Sequence, residues 1–266
     1  MSQYSQIIAH IFRSKHVPGK EIVRFERSDI RQAAKQLDVE LPRNLGDVVY
    51  SFRFRKELPE TVRATAPEGE SWVITLQGKG KYAFELKSEI RFVPDQNLVK
   101  TKVPDATPGI VSRYALSDEQ ALLAKLRYNR LIDIFTGVTC YSIQNHLRTT
   151  VKSMGQVETD EIYIGLDKRG AHYVLPIQAK GGNDEIGVVQ VEQDIALCQE
   201  KFPDLICLSI AAQFMQDDVI ALFEFDLDPE QGIVKTEERH YKLIPQESLS
   251  DAEIRKYGQK AANRTQ

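Results

Sequence analysis

The sequence predicts an α/β chain: a mixed central sheet flanked by helices, preceded by a smaller N-terminal α+β module. Three observations carry that reading. Apolar residues at helical spacing (Ile30, Ala33, Ala34 and Leu37; later Ala121, Leu122, Leu126, Leu131, Ile132 and Phe135) alternate with short runs rich in β-branched and aromatic residues. Two pairs of such runs are joined by glycine-bearing turns, 72–76 with 81–86 across Gln77-Gly78-Lys79-Gly80, and 160–164 with 173–180 across Lys168-Arg169-Gly170. Between them, Val103-Pro104-Asp105-Ala106-Thr107-Pro108-Gly109 reads as a connector. It separates an expected domain 1–103 from an expected domain 110–266.

In order along the chain, Ser28-Asp29 opens a helix that ends before Val39 and Pro42. Residues 44–55 mix apolar and basic positions and read as a short helix entering a strand. The 72–86 hairpin follows, and its turn is basic at Lys79 and Lys81. Past the connector, Ser117-Asp118-Glu119 starts a long helix that runs to Gly137, a C-terminal stop. Residues 142–150 are expected as a second helix leading to Gly155 and the second hairpin. Then come a glutamine-bearing segment, 189–197, and a strand at 205–210. The 219–225 strand and the 226–232 turn lead to Arg239, His240, Tyr241 and Lys242, expected on a solvated edge strand. A polar helix begins near Ser248.

Apolar residues make up 42% of the 266 and charged residues 27%, ordinary values for a globular protein. No apolar run approaches a membrane span, and no signal-peptide core is present, so no membrane partner is expected. Cys140, Cys198 and Cys207 fall at no zinc spacing, and an odd count argues against a disulfide framework; a reducing, cytoplasmic setting follows. The net charge of −3 hides an asymmetry. Residues 1–110 hold 18 Lys and Arg against 14 Asp and Glu, whereas the remainder holds 17 against 24. Arg24, Arg27, Arg31, Lys35, Arg43, Arg53 and Arg55 crowd the basic half, with Lys79 and Lys81 at the hairpin tip. Basic side chains on one face supply the phosphate-binding part of DNA affinity, and a solvated helix face is the bland alternative.

The chemistry concentrates in the second hairpin. Side chains two apart on a strand share a face, so Gln178 and Lys180 point together while Ile177 and Ala179 point away. The buried-looking run Val174-Leu175-Pro176-Ile177 ends in these two long polar side chains, which is costly unless they are satisfied. Asp160 on the partner strand offers a carboxylate, Gln178 an amide oxygen and Ala179 a backbone carbonyl, an oxygen set suited to Mg2+. Lys180 can orient a water or stabilise charge developing on a phosphate. Glu158 and Glu161 compete with Asp160 for the place of the first acid.

Asp160 followed by Gln178-Ala179-Lys180, with the surrounding order of elements over about residues 120–226, resembles the PD-(D/E)xK nuclease superfamily, specifically Mrr-like restriction endonucleases with a Gln-x-Lys motif. Thr159 stands where the family's proline is usual. The resemblance implies a restriction-endonuclease-like core, and the N-terminal helices followed by a basic-tipped hairpin suggest a winged-helix-like DNA-recognition domain. The resemblance also implies a Mg2+-dependent endodeoxyribonuclease of restriction type acting on double-stranded DNA, with a homodimer favoured if both strands are cut. Asp160, Gln178 and the Ala179 carbonyl would hold the metal, and Lys180 would assist the attacking water. The family's further acid from the preceding helix has no counterpart at 142–150, which offers Gln144, Asn145 and His146; Asp133 and Glu119 are the upstream candidates, and Arg148 is a candidate phosphate clamp. Two other functions fit the same residues: a DNA-binding regulator with a degenerate nuclease fold, and a structure-specific nuclease such as a junction resolvase.

Overall fold

The structure is a computed structural model that describes residues 2–54, 56–88, 91–114, 119–152, 154–181, 184–229 and 231–262. The chain forms two compact units. The first comprises Met1–Phe92, Arg148–Glu158 and Gly187–Lys201; the second comprises Val93–Leu147, Thr159–Ile186 and Phe202–Gln266. The expected connector at 103–109 lies inside the second unit.

The first unit opens with α1 (Gln3–Lys15), whose first turn is capped by the Ser2 hydroxyl accepting from the Ser5 N–H. Then follow β1 (Ile22–Glu26), α2 (Arg27–Leu37), α3 (Gly46–Phe54), α4 (Glu60–Arg63), β2 (Ser71–Leu76), β3 (Lys81–Lys87) and β4 (Arg91–Phe92). Three strands form an antiparallel sheet in the order β1-β3-β2. Alternation in β1 buries Val23 and Phe25, and Phe25 and Phe84 stack at 4.8 Å while Phe12 meets Trp72 edge-on at 5.1 Å. The four helices α1–α4 and the sheet close one apolar core around these rings. Residues 46–54 are helix and do not enter a strand, because Val48, Val49 and Phe52 recur at helical spacing and all are buried. α2 ends at Asp38, which takes a left-handed conformation with φ 51°.

The second unit is built on an eight-stranded mixed sheet. Its chain order is β5 (Lys100–Pro104), α5 (Gly109–Tyr114), α6 (Glu119–Tyr128), α7 (Leu131–Thr136), β6 (Thr139–Val151), β7 (Gly155–Leu166), β8 (His172–Lys180) and β9 (Ile186–Gly187). α8 (Val188–Lys201), which belongs to the first unit, precedes β10 (Ile206–Cys207), β11 (Ser209–Phe214), β12 (Val219–Asp228), β13 (Gly232–Ile244) and α9 (Asp251–Ala262). The strands run β5-β13-β12-β11-β8-β7-β6, with β10 also on β8. β8 is parallel to β11 and antiparallel to β7. Leu122, Leu123 and Leu126 of α6 and Leu131 and Ile132 of α7 pack on one face of this sheet against Tyr163, Leu175, Ile177, Ile210 and Leu222.

Proline within a central strand normally breaks the ladder, and Pro176 shows how it is tolerated. On the side where its N–H is missing, β10 pairs only as far as Cys207 with Val174, and β11 resumes with Ile210 opposite Ile177. Gly165 is required by packing: a Cβ there would lie 2.5 Å from Val138 Cγ1.

Three expectations change. Residues 142–150 are strand, not helix: they belong to β6, an edge of the sheet beside β7, with most of their side chains exposed. The long helix after the connector is two helices, α6 and α7, broken at Arg130 in a left-handed conformation with φ 49°; its expected start at Ser117-Asp118 lies outside the described residues. β13 is not an edge, since β12 and β5 flank it, and His240 is buried. The connector itself is pinned. Asn129, buried, accepts the Ala106 N–H at 2.7 Å and donates to Thr107 at 2.9 Å and Asp105 at 3.2 Å.

Glu238 anchors the neighbourhood of β13. Burial alone would raise its carboxyl, but the Lys235 ammonium at 2.6 Å, the Asp95 N–H at 2.7 Å and the His240 ring at 2.8 Å outweigh it, holding the group below the usual carboxylate range. A depressed folded value contributes stability that is complete above the ordinary carboxylate pKa and is lost as pH falls through the folded value. Glu238→Gln is therefore expected to lower the melting temperature near neutrality and to flatten its decline below about pH 4.5, measured by thermal denaturation across pH.

Candidate active site

The β7–β8 hairpin is fixed at its turn by Asp167. Its carboxylate accepts the Ala171 N–H at 2.9 Å and the Arg169 N–H at 2.8 Å, and these bonds hold it below the usual range. Pairing then runs from Leu166 opposite His172 to Glu161 opposite Ile177. Beyond that pair, the Ala179 N–H donates not to a backbone carbonyl but to Asp160 Oδ2, at 2.8 Å. A strand residue directs its N–H and C=O to the same neighbour. The Ala179 carbonyl is thus directed to the β7 side as well, beside the Asp160 carboxylate.

Alternation separates the competing acids. Asp160, Gln178 and Lys180 lie on one face of the sheet; Glu161 lies on the other with Tyr163, Ile177 and Ala179. Glu161 is 0% exposed, and its burial pushes the carboxyl up although the Ser142 hydroxyl bonds it and Arg127 Nε stands 3.4 Å away. It is a core group under the helices. Glu158, exposed, pairs with Arg148 at 2.8 Å. Of the two acids on that face, Asp160 is the one that bonds the Ala179 N–H, between Gln178 and Lys180, while Glu158 is taken up by Arg148.

Gln178 is 2% exposed and Ala179 is fully buried, whereas Lys180 is half-buried. Among the described residues no carboxylate lies within ion-pair distance of the Lys180 ammonium. One functional candidate escaped the sequence reading: Gln213 on β11, in register with Lys180 as Ala211 is with Gln178. Its Nε2 donates to the Asp184 carbonyl at 2.8 Å, and its Oε1 is buried without a hydrogen-bond partner among the described residues. The signal was available, a glutamine within the apolar run Ile210-Ala211-Ala212, the same kind of signal that singled out Gln178.

The donors on this face (a carboxylate, amide oxygens and a backbone carbonyl) are all oxygen, which fits a hard cation such as Mg2+. Among the described residues no three His, Cys, Asp or Glu side chains converge on a metal position, so the fit rests on amide and carbonyl oxygens beside one carboxylate.

No family model, no curated protein and no solved structure matches this chain.

The remaining candidates are dispersed. His146, on β6 with φ 48°, is exposed and bonds Gln120 at 2.8 Å. Asp133 accepts the Cys140 N–H at 3.0 Å and pairs with Arg130, a local structural role in α7. Glu119 is the first residue of α6. In the first unit, Arg27, Arg31 and Lys35 recur every four residues along the exposed side of α2, opposite buried Ile30, Ala33 and Ala34. The Arg27 N–H donates to the Gly80 carbonyl at 3.1 Å, and a Cβ on Gly80 (φ 74°) would meet Arg27 Cδ at 3.3 Å. The start of α2 and the Lys79–Lys81 tip therefore form one basic end, with Lys81 paired to Glu26 in the sheet register. Arg24 and Arg43 are exposed. Arg53 leaves this set: its Nε donates to the Ile74 carbonyl at 3.3 Å, and burial lowers its pKa to about 10. Arg148 is exposed in its pair with Glu158, and Arg55 lies outside the described residues.

Burial likewise pushes the Cys140 thiol up to about 11, and Cys140, Cys198 and Cys207 are free thiols. Among the described residues no helix is long and apolar enough to cross a membrane.

The Asp160–Ala179 bond has a structural readout of its own. Asp160→Ala leaves the Ala179 N–H without its acceptor and is expected to cost about 1–3 kcal/mol in chemical denaturation, and Asp160→Asn, which keeps an oxygen there, less.

Proposed function

We propose that the chain is a Mg2+-dependent endodeoxyribonuclease of restriction type that hydrolyses phosphodiester bonds of double-stranded DNA. The observation that carries the reading is the single face shared by Asp160, Gln178 and Lys180 where the β7–β8 ladder gives way to the Asp160–Ala179 bond. The sequence of helix, three antiparallel-linked strands β6-β7-β8, helix and then β11 parallel to β8 is compatible with a PD-(D/E)xK core, with the acid on the second strand and Gln-x-Lys on the third. The α1-β1-α2-α3-α4-β2-β3 order with strands β1-β3-β2 supports a winged-helix-like recognition module.

Asp160, Gln178 and the Ala179 carbonyl are the residues that would hold Mg2+, which when bound neutralises charge on the scissile phosphate and acidifies water. Asp160 is held in place by the Ala179 N–H, so its carboxylate is oriented before any ligand arrives. Gln178, buried, offers a neutral oxygen whose direction is fixed by its place in the strand. Lys180, with no carboxylate partner among the described residues, keeps its ammonium for a phosphate oxygen or for orienting the water. The basic end formed by Arg27, Arg31, Lys35, Lys79 and Lys81 would contact the DNA backbone, a sequence-independent attraction that weakens steeply with salt. Cutting both strands at a symmetric site would call for a second copy of the chain.

Plasmid nicking tests the proposal. The wild-type protein is expected to cut supercoiled plasmid with Mg2+ and not with EDTA, and Asp160→Asn and Lys180→Ala are each expected to lower the rate by about 100-fold or more while leaving DNA retention in a gel shift unchanged. Binding without cutting of modified or unmodified duplex would select the regulator reading, and cutting only of branched duplex the resolvase reading.

A further inference from the structure

Gln213 is the polar side chain on the candidate face that the proposed chemistry does not yet use. At 7% exposure its amide is taken out of water, yet only one end of it is satisfied. The satisfied end fixes the orientation of the other. Nε2 donates to the Asp184 carbonyl at 2.8 Å, and because a carbonyl can only accept, the amide cannot be turned over without losing that bond. Oε1 is therefore held as a free acceptor. An unmet acceptor in a buried strand calls for an explanation, and a donor brought in by function is one.

The sheet register names the donor. β11 runs parallel to β8 with Gln213 in register with Lys180, so the two side chains rise from the same face on adjacent strands. Lys180 carries three donors on a flexible stem and has no carboxylate partner among the described residues. Asp184 lies four residues past Lys180, so the Gln213 amide ties down the chain that follows the lysine.

We infer that Gln213 is a positioning residue: its Oε1 accepts a hydrogen bond from the Lys180 ammonium and holds that group where it meets the phosphate or the attacking water. The inference rests on the nuclease reading for its consequence in catalysis, though not for the contact itself. Catalytic hydrogen bonds commonly lengthen in the ligand-free state and close when substrate is bound. Removing the acceptor should leave the lysine present but poorly aimed, a loss in kcat rather than in KM.

Two measurements test it separately. In plasmid nicking, Gln213→Leu is expected to lower kcat about 10- to 100-fold with KM unchanged, and Gln213→Glu, which keeps an acceptor oxygen, to retain more activity than Gln213→Leu. In a Lys180→Met background the same Gln213→Leu change is expected to cost less than about 3-fold, because the group it positions is gone. Equal losses in both backgrounds, or a rise in KM alone, would overturn the inference while leaving the nuclease reading standing. A crystal structure of the wild-type protein soaked with Mg2+ reads the contact whether or not any DNA is cut: Lys180 Nζ within hydrogen-bond distance of Gln213 Oε1 is expected, and an Oε1 bound instead to the metal or to water, with the lysine turned away, would overturn it. A protein that shows the contact and never nicks DNA defeats the nuclease reading alone.

Discussion

The pleat of the β7–β8 hairpin is the constraint from which the rest of the site follows. Its register is set at one end by the Asp167 carboxylate, which gathers the N–H groups of the turn, and at the other by Asp160, which takes the Ala179 N–H in place of a ladder bond. With a period of two, a slip of one residue would move Glu161, Ile177 and Ala179 out of the apolar layer and drive Asp160, Gln178 and Lys180 into it. The leucines of α6 and α7 make that slip prohibitive, because they pack on Tyr163, Leu175 and Ile177. The apolar core on one side of the sheet thus holds the polar constellation on the other.

The polar constellation is itself a cost to the fold. Gln178 lies between Ile177 and Ala179 in its strand and Gln213 between Ala212 and Phe214, and both are nearly fully buried. Transferring an amide from water is unfavourable unless both its ends are matched, and an apolar side chain of similar volume would fill either position without that cost. A fold that carries two such amides in adjacent central strands, beside a half-buried lysine with no carboxylate partner among the described residues, has placed polar groups where stability alone does not call for them. That reasoning weighs toward a working centre over a fold that has kept only its scaffold.

How much of this could be read from the chain depended on whether the information was local. The hairpin turn and the run from Val174 to Ile177 were legible because turn chemistry and an apolar run are written within a few residues. Residues 142–150 were misread as helix for the opposite reason: β6 is an edge strand with most of its side chains exposed, so no alternation of apolar and polar residues marks it, and its strand conformation comes from pairing within the sheet. The break of the long helix at Arg130 was hidden because the apolar stripe continues across it from Leu126 to Leu131. Arg53 and His240 were taken as surface groups from their chemical type, whereas each is drawn inward by a local bond, Arg53 Nε to the Ile74 carbonyl and His240 Nε2 to Glu238. Asp160 could be told from Glu161 only once the register was known, since the two stand side by side in the chain and differ solely in the face they present.

The same limit explains Gln213. A lone glutamine in a strand carries no meaning until the strand's neighbour is identified, and β11 reaches β8 across more than thirty residues and an intervening helix. Parallel pairing of strands so far apart in sequence is decided by the whole sheet. Once decided, it places residue 213 beside residue 180 as firmly as the hairpin places residue 160 opposite residue 178. The candidate centre therefore has two kinds of member. Asp160, Gln178 and Lys180 belong to one hairpin and form a motif that a reader of sequence can suspect. Gln213 belongs to the sheet, and only the topology assigns it; a chain that kept the hairpin motif but paired β8 with a different strand would keep the lysine and lose the acceptor that stands in register with it.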